Sequence, residues 1–217
     1  MVMDCSETES RLRHIPYEKY KDFTTFNISE IQDQLAIINW RKVHSGGSGG
    51  RVTRSSAWFT DAPCSCKYAY GNTVWEPLPF TVWMKSLVAD VCDLLNITTC
   101  KPNSMNCNRY DNFSESLAWH ADDEPLFSTS DGNITIVSMS FGETRNFGFK
   151  RSTAQDSDAQ YVVLNAGDLL TMEGKMQYFW KHCIPPSSVM SSSAIGSTTR
   201  YNITMRYVAN HANSCSC

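Results

Sequence analysis

The sequence predicts an α+β protein in which an antiparallel sandwich or barrel of strands is braced by helices that come earlier in the chain. Convincing helical spacing of apolar residues is confined to the stretch before residue 97. From residue 104 onward, turn residues separate short runs rich in β-branched and aromatic residues. Helices followed by many strands are typical of α+β folds. Because 217 residues with 41% hydrophobic content suffice for one packed core, we expect one domain over residues 1–217.

The first predicted helix lies in the segment SEIQDQLAIINW. Ile31, Leu35 and Ile38 give this segment one apolar face. Ser29 is expected to cap the helix, with Gln32 completing a capping box.

The second predicted helix, LPFTVWMKSLVADVCDLLN, is the strongest helical pattern in the chain. Pro79 suits its first turn. Its apolar face comprises Phe80, Trp83, Met84, Leu87, Val88, Val91, Leu94 and Leu95.

Later segments have the composition of strands. They are SMNCNRY, ITIVSMSFG, NFGFKR, QYVVLNAGDLLTME, QYFWKHCI and RYNITMRYV.

Residues 45–50, SGGSGG, have the composition of a flexible linker. The stretch fits either an engineered linker that replaces a mobile loop or a natural Gly-rich loop, and its repeat favours the first interpretation.

Composition restricts the classes of function and the compartment. The net charge of −3 means that binding a polyanion would require a local basic patch. No apolar run approaches the ~20 residues that span a bilayer, and the polar start MVMDCSETESRLRH does not resemble a signal peptide. Nine cysteines in such a chain are expected to be reduced thiols, which favours the nucleus or cytoplasm. We expect a monomer without a membrane partner.

Three residues form a candidate metal site. His120 and Asp122 stand two positions apart, so on a strand both side chains would point to one face. His182, in the strand-like run YFWKHCI, supplies a second imidazole. Two imidazoles and one carboxylate are the facial triad that binds Fe(II) and leaves positions open for other ligands. The H-x-D pair alone is a weak signal, because histidines beside acids are common on protein surfaces.

The segment RYNITMR adds an anion-binding pattern. Alternation places Arg200, Asn202, Thr204 and Arg206 on one face of a strand, with the apolar residues between them on the other. Two arginines on an inward face would be costly unless they met anions, and a dicarboxylate fits that requirement. The alternative is a pair of surface arginines on an edge strand.

These motifs together resemble those of the AlkB family of Fe(II)/2-oxoglutarate dioxygenases. The resemblance covers residues 51–208 and is strongest to the nucleic-acid demethylase branch. The segments that carry it, in chain order, are TRSSAWFTD, YAYGN, CNRYDN, WHADDEP, SMSFGETRNF, GDLLTMEG, WKHCIPP and RYNITMR.

The resemblance implies a fold, cofactors and site residues. It implies a double-stranded β-helix (jelly roll) over residues 104–208, a nucleotide-recognition lid over 51–75, and an N-terminal extension with a helix over 1–50. His120, Asp122 and His182 would bind Fe(II) and form the catalytic centre. The residues implied to bind 2-oxoglutarate are Asn108, Tyr110, Arg200, Asn202 and Arg206. Those implied to bind the substrate are Arg54, Tyr68, Tyr70 and Asp123.

The implied activity is oxidative demethylation of bases such as N1-methyladenine or N3-methylcytosine in single-stranded DNA or RNA. The sequence departs from the family pattern at Thr53, where a proline is usual, and after Tyr110, where a glycine is usual. Two other hypotheses stay open. The same chemistry could act on a protein or small molecule, which the net acidity favours, or the chain could be a non-catalytic binding module.

Several cysteines allow further interpretations. Cys64 and Cys66, with Cys215 and Cys217, could offer four thiolates to zinc. C-x-C is not the common C-x2-C spacing, so unpaired thiols are the preferred interpretation, and His211 has no partner that the sequence identifies. Cys183 is expected to be a core residue, because neighbours on a strand face opposite ways.

Overall fold

The structure is a computed structural model, which describes residues 2–5, 10–44, 52–70, 73–187, 198–211 and 215. Residues 45–50, where the sequence predicts a flexible linker, and Cys217 lie outside the described residues.

The described residues form three α-helices and a larger number of strands. The helices are α1 (Ile28–Ala36), α2 (Val82–Leu95) and α3 (Met176–Phe179). The strands are β1 (Val2–Cys5), β2 (Ser10–Ile15), β3 (Arg41–His44), β4 (Val52–Thr60), β5 (Tyr68–Tyr70), β6 (Thr73–Trp75), β7 (Leu78–Pro79), β8 (Ser104–Tyr110), β9 (Leu117–His120), β10 (Ile136–Gly142), β11 (Arg145–Arg151), β12 (Gln160–Leu164), β13 (Leu169–Gly174), β14 (Trp180–Ile184) and β15 (Arg200–Arg206).

The strands assemble into two main sheets. The major sheet has nine strands in the order β1-β2-β13-β10-β15-β8-β4-β3, with β7 paired to β4. The minor sheet has four strands in the order β12-β11-β14-β9, and β5 pairs with β6. The pairings within both main sheets are antiparallel, apart from the parallel contact of β7 with β4. This sheet-rich architecture with few helices is consistent with the predicted jelly roll.

One face of the major sheet is covered by helices. Ile203 and Met205 of β15 belong to a buried apolar cluster with Leu35 of α1 and with Leu87 and Val91 of α2. Burial of these apolar side chains is the main contribution that holds α1 and α2 against the sheet.

The opposite face of the major sheet packs against the minor sheet. Ile136 and Leu170 of the major sheet share a buried cluster with Phe149, Leu164 and Ile184 of the minor sheet. Since side chains alternate along each strand, the remaining positions on this inner face are free to carry polar groups. They form the candidate site described below.

The start of each long helix differs from the prediction. Asn27, not Ser29, caps α1, and the Asn27 Oδ1 accepts the Ser29 N–H at 2.9 Å. Asn is as good a cap as Ser, so the helix begins earlier and Ser29 falls in its first turn. Helix α2 begins at Val82, and Pro79 lies in β7 rather than in the first helical turn.

Two further segments were mispredicted. The run QYFWKHCI is not one strand, because α3 occupies its first part and β14 begins only at Trp180. The weak periodicity near the N-terminus concealed β2, which pairs with β13 and places Leu12 opposite Met172. Among the described residues, no helix has both the length and the apolarity that crossing a bilayer requires.

Candidate functional site

Two histidines lie side by side on neighbouring strands of the minor sheet. The register of β9 and β14 pairs His120 directly with His182, and their ring centroids are 4.1 Å apart. Directly opposed residues on antiparallel strands are the closest side-chain neighbours in a sheet, so the strand pairing alone brings these imidazoles together.

Asp122 completes the group, although not for the reason that the sequence suggests. Strand β9 ends at His120, so Asp122 lies in the following irregular segment and is not aligned by strand alternation. The metal-binding atoms of His120, Asp122 and His182 nevertheless all lie within 4.8 Å of one another. The His120 Nε2 is 3.4 Å from the Asp122 Oδ1.

Hydrogen bonds orient the two residues that come from the end of β9. The His120 Nδ1 lies 2.9 Å from the Ala118 carbonyl oxygen. If Nδ1 donates there, the lone pair is on Nε2, which faces Asp122, as in many metal-binding histidines. The Asp122 N–H donates to the Gln177 Oε1 at 2.9 Å, so α3 fixes the main chain at this acid.

The charges around the group favour metal binding. Burial would raise the pKa of Asp122, but Arg206 and the two histidines outweigh it and hold the pKa well below its usual range. Burial, together with the neighbouring His120, lowers the pKa of His182 to about 3. An ionised carboxylate and a neutral imidazole are the forms that bind a metal ion.

Arg200 lies deep in the same pocket. It is 1% exposed, and its Nη2 donates to the Ser140 Oγ at 2.9 Å. Within the described part of the chain, the buried Arg200 Nε and Nη1 have no hydrogen-bond partner. Burial lowers the pKa of Arg200 to about 10, with the nearby positive charge of Arg145 contributing. Buried unpaired donors of a cation are costly, so this environment is suited to an anion.

Arg206 lies at the metal group. Its Nη1 is 3.5 Å from the Asp122 Oδ2, 3.9 Å from the Glu124 Oε2 and 3.3 Å from the Tyr68 hydroxyl. The guanidinium also lies 4.3 Å from the centroid of the Phe127 ring. Its Nε has no hydrogen-bond partner among the described residues. Arg206 thus presents one donor beyond the contacts that already hold it.

The remaining residues predicted to bind 2-oxoglutarate also line this pocket. Asn108, Tyr110 and Asn202 surround the arginines. The Asn108 Oδ1 accepts hydrogen bonds from the Arg54 Nε at 2.8 Å and the Ser56 Oγ at 2.7 Å. The Arg200 guanidinium lies 5.3 Å from the centroid of the Tyr110 ring, close enough for a cation–π contact.

The predicted substrate residues are distributed differently. Arg54 and Tyr68 line the pocket and are buried. The Tyr68 hydroxyl donates to the Glu124 Oε1 at 2.7 Å. Asp123 is exposed and is not among the residues that line the pocket. The side chain of Tyr70 lies outside what the structure describes.

The sequence did not identify several residues in and around the pocket. Phe147 stacks on His182 with 5.5 Å between ring centroids. The others hold site residues through hydrogen bonds: Ser56, Ser138, Ser140 and Gln177. The two serines of β10 stand in the SMSFG segment at alternate positions, which is the same signal that identified the arginine face.

The structure also adds a histidine to three of the cysteines that the sequence suggests as possible zinc ligands. Donor atoms of Cys64, Cys66, His211 and Cys215 lie within 4.8 Å of one another. His211, for which the sequence identifies no partner, thus lies beside Cys66 and Cys215. Cys183 is buried, as expected for a core cysteine, and burial raises the pKa of its thiol to about 11.

A family match identifies the chain as an oxygenase that uses iron and 2-oxoglutarate. The chain matches the 2OG-Fe(II) oxygenase superfamily over residues 28–206, and it belongs to that family. Iron and 2-oxoglutarate, the cofactors that the motifs predict, are confirmed at this level, and His120, Asp122 and His182 could hold the iron.

Within the superfamily, the chain is homologous to AlkB proteins, as the motifs predict. It is 34% identical over 140 residues to alpha-ketoglutarate-dependent dioxygenase alkB homolog 3 of Homo sapiens, covering 61% of this chain and 46% of that protein. It is 32% identical over 139 residues to the Mus musculus protein of the same name, with 61% and 46% covered. To DNA oxidative demethylase ALKBH2 of Arabidopsis thaliana it is 32% identical over 127 residues, with 49% and 38% covered. The aligned stretches thus span less than half of each relative.

A solved structure has a similar fold. The structure of OsALKBH1 aligns with a TM-score of 0.60 at 18% identity, over 95% of this chain and 99% of that one. At this identity, the likeness concerns the fold alone.

Proposed function

We propose that this chain is an Fe(II)- and 2-oxoglutarate-dependent demethylase of N-methylated bases in single-stranded DNA or RNA. The observation that carries the proposal is the meeting of His120, Asp122 and His182 with two buried arginines in one pocket. The arginines have N–H donors without partners among the described residues. A metal group beside two buried arginines that could pair with a dicarboxylate is what this chemistry requires. The sheet-rich core would be the jelly roll that the family resemblance implies.

His120, Asp122 and His182 would hold iron on one face and leave coordination positions open. The proposed role of Asp122 depends on its ionised carboxylate, which Arg206 stabilises from 3.5 Å. Gln177 would keep this carboxylate aimed at the ion through its hydrogen bond to the Asp122 N–H. Phe147 would limit rotation of the His182 ring through stacking.

Arg206 and Arg200 would bind the two carboxylates of 2-oxoglutarate. Arg206 is beside the metal group and would pair with the carboxylate near the iron. Arg200, flanked by Tyr110 and bonded to Ser140, would hold the distal carboxylate. Guanidinium groups suit this task because their fixed fork of donors matches a carboxylate. Asn108 and Asn202 would complete the polar wall.

When bound, iron and 2-oxoglutarate would let dioxygen act as the oxidant. One oxygen atom would convert 2-oxoglutarate to succinate and carbon dioxide, and the other would hydroxylate the N-methyl group, which would then leave as formaldehyde. The protein's task is to position the base and exclude water. A base must leave its stack to enter such a pocket, which is easiest in single strands. We propose that Arg54, Tyr68, Tyr70 and Asp123 contact the nucleotide, with the exposed Asp123 meeting the base.

The proposal is tested by turnover on defined oligonucleotides. Purified chain, Fe(II) and 2-oxoglutarate are incubated with single strands carrying N1-methyladenine or N3-methylcytosine. Nucleosides, succinate and formaldehyde are then measured by mass spectrometry. Loss of the methyl group in step with succinate release is expected, and His182→Ala should abolish both. Absence of demethylation with iron and 2-oxoglutarate bound would refute the proposal.

A second candidate keeps the chemistry and changes the substrate to a protein or small molecule. The net charge of −3 favours it, because a nucleic-acid enzyme usually presents a basic surface. Binding of single-stranded oligonucleotides separates the two candidates. Two results would favour this second candidate. One is that the oligonucleotides do not bind the chain, and the other is that they bind with an affinity that Arg54→Ala leaves unchanged.

We also propose that the chain acts as a monomer in the nucleus or cytoplasm. The abundance of thiols supports a reducing compartment. Light scattering of the purified chain tests the first part, and imaging of a tagged chain in its own cells tests the second.

A further inference from the structure

A second group of metal-binding side chains lies outside the proposed iron site. It consists of Cys64, Cys66, His211 and Cys215, which we call the Cys3His cluster. Their Sγ and ring nitrogen atoms all lie within 4.8 Å of one another. Cys64 and Cys66 are buried, and Cys215 is partly buried. Three sulfurs and one imidazole are one of the standard ligand sets of structural zinc.

Two distances between donor atoms of the cluster match a tetrahedral site. The His211 Nδ1 lies 3.5 Å from the Cys66 Sγ and 3.5 Å from the Cys215 Sγ. Zinc bonds of about 2.3 Å to sulfur and about 2.05 Å to nitrogen, at a tetrahedral angle, place such atoms about 3.6 Å apart. These two donor pairs therefore already have the separation that a tetrahedral zinc site requires, and the remaining donor atoms lie within 4.8 Å.

The main chain that carries Cys64 and Cys66 is held in place by its own hydrogen bonds. The Cys64 N–H donates to the Asp61 carbonyl at 2.9 Å, and the Thr60 hydroxyl donates to the Cys64 carbonyl at 2.7 Å. The Trp58 Nε1–H donates to the Cys66 carbonyl at 2.9 Å. These bonds direct both thiols inward while Ser65 stays exposed, so the tight C-x-C spacing can present two sulfurs to one point.

The segment that carries His211 is anchored separately. The Asn210 side-chain amide donates to the carbonyls of Pro125 and Ser128 at 2.7 and 2.6 Å. The Ala209 N–H donates to the Leu126 carbonyl at 3.1 Å. His211 and Cys215 stand four residues apart, which is within the H-x3–5 ligand spacing of many zinc sites.

A hydrogen bond points to Cys215 as a charged ligand. The Ser65 N–H donates to the Cys215 Sγ at 3.2 Å. Main-chain donors to a metal-bound sulfur are a common outer contact of zinc sites, because they stabilise the thiolate charge. The same bond joins the two halves of the cluster, one from before β5 and one from after β15.

We propose that the Cys3His cluster is a structural zinc site, distinct from the iron site and closed to substrate. Zinc there would tie the segment after β15 to the connection between β4 and β5. Tyr68 begins β5 two residues after Cys66, and its hydroxyl contacts both Glu124 and Arg206. The ion would therefore act as a positioning element for the residues beside the iron site.

Metal content of the purified full chain tests the proposal. Zinc can also occupy iron sites of this kind, so the measurement is made in a His120→Ala, His182→Ala background. We expect one zinc per chain by elemental mass spectrometry after dialysis. Cys66→Ser or Cys215→Ser in that background should lose the zinc. Cys92→Ser, which removes a buried thiol of α2 outside the cluster, should retain it.

Cobalt provides a second measurement. Co(II) added to the chelator-treated background chain should give the thiolate-to-metal charge-transfer absorption and strong ligand-field bands of a tetrahedral sulfur site. Asp122, the one iron-site residue left in this background, contains no sulfur and cannot produce the charge-transfer absorption. The bands should disappear in Cys66→Ser and Cys215→Ser and persist in Cys92→Ser.

Three results would overturn the proposal. They are a background chain without zinc, zinc retained in the cluster variants, and a disulfide between cluster cysteines in chain purified under reducing conditions. If Cys66→Ser fails to fold, Cys215→Ser decides the question, because that residue is only partly buried and lies outside the helices and strands. None of these results bears on whether iron and 2-oxoglutarate bind at the other site.

Discussion

Arg206 and Asp122 form a buried ion pair at the centre of the candidate site, with the Arg206 Nη1 3.5 Å from the Asp122 Oδ2. The pair connects the two parts of the pocket, since Asp122 belongs to the proposed iron group and Arg206 to the proposed 2-oxoglutarate group. The guanidinium thus stabilises the carboxylate that would face the ion.

Arg206→Met is expected to abolish binding of 2-oxoglutarate and to lower the free energy of unfolding by about 3–5 kcal/mol, because a buried carboxylate loses its partner. Urea denaturation and a 2-oxoglutarate titration measure the two effects. Arg151→Met is the matched control, since Arg151 is only partly buried and lies against Trp180 at the end of β11. Unchanged affinity and stability in Arg206→Met would contradict this account.

Gln177→Leu is expected to weaken Fe(II) binding about 10–100-fold, the usual effect of removing an outer partner of a metal ligand. Gln177 accepts the Asp122 N–H and would not itself contact the ion. An iron titration checks the prediction. Gln160→Leu, at an exposed position of β12, should bind iron as the unchanged chain does. Equal affinities of the two variants would show that Gln177 has no positioning role.

Gly142→Ala is expected to destabilise the chain more than Gly132→Ala. Both glycines have a positive φ, +75° and +73°, so each substitution incurs a left-handed backbone cost of about 1–2 kcal/mol. At Gly142 the added Cβ would also overlap the Thr199 carbonyl oxygen, whereas at Gly132 the nearest atom is 3.7 Å away on Tyr178.

Urea denaturation of the two glycine variants measures the energetic cost of the overlap, because the backbone cost is the same in both. Thr199 directly precedes Arg200, so Gly142→Ala should also weaken 2-oxoglutarate binding, while Gly132→Ala should not. Equal destabilisation by both substitutions would mean that the main chain near Arg200 shifts to relieve the overlap without a loss of stability.

Asp123→Ala is expected to spare iron and 2-oxoglutarate binding and to reduce turnover of methylated oligonucleotides. The reason is that Asp123 is exposed and lies outside the pocket lining, next to a residue of the proposed iron group. Iron content, 2-oxoglutarate affinity and demethylation are measured on the same preparation. Asp93→Ala, on the exposed side of α2, serves as the control. Parallel loss of iron and turnover would show that Asp123 supports the metal site instead.

The local sequence pattern was sufficient to predict many residues of the pocket. Alternation along RYNITMR assigned Arg200 and Arg206 to the inner face of β15, and the structure buries both there. The same pattern failed for His120 and Asp122, because β9 ends at His120 and an irregular segment brings the acid to the group. Where a strand ends depends on its partners, which a local pattern does not contain.

The features that the sequence did not predict depend on contacts that a local pattern does not contain. Strand β2 was missed because its apolar pattern is weak and its stability derives from pairing with β13. The predicted N-cap of α1 was wrong by two positions. Asn27 and Ser29 are both good caps, and the neighbouring residues decide which one is used.

By itself, the sequence determined the class of fold, the family, and the residue types of the pocket, since those follow from periodicity and from motifs that lie close along the chain. Tertiary structure alone decided that His120 faces His182 across two strands and that His211 meets Cys64 and Cys66. The physical reason is that strand register and chain crossing set distances between residues that are far apart in sequence. A metal site depends on those distances to within a fraction of an ångström.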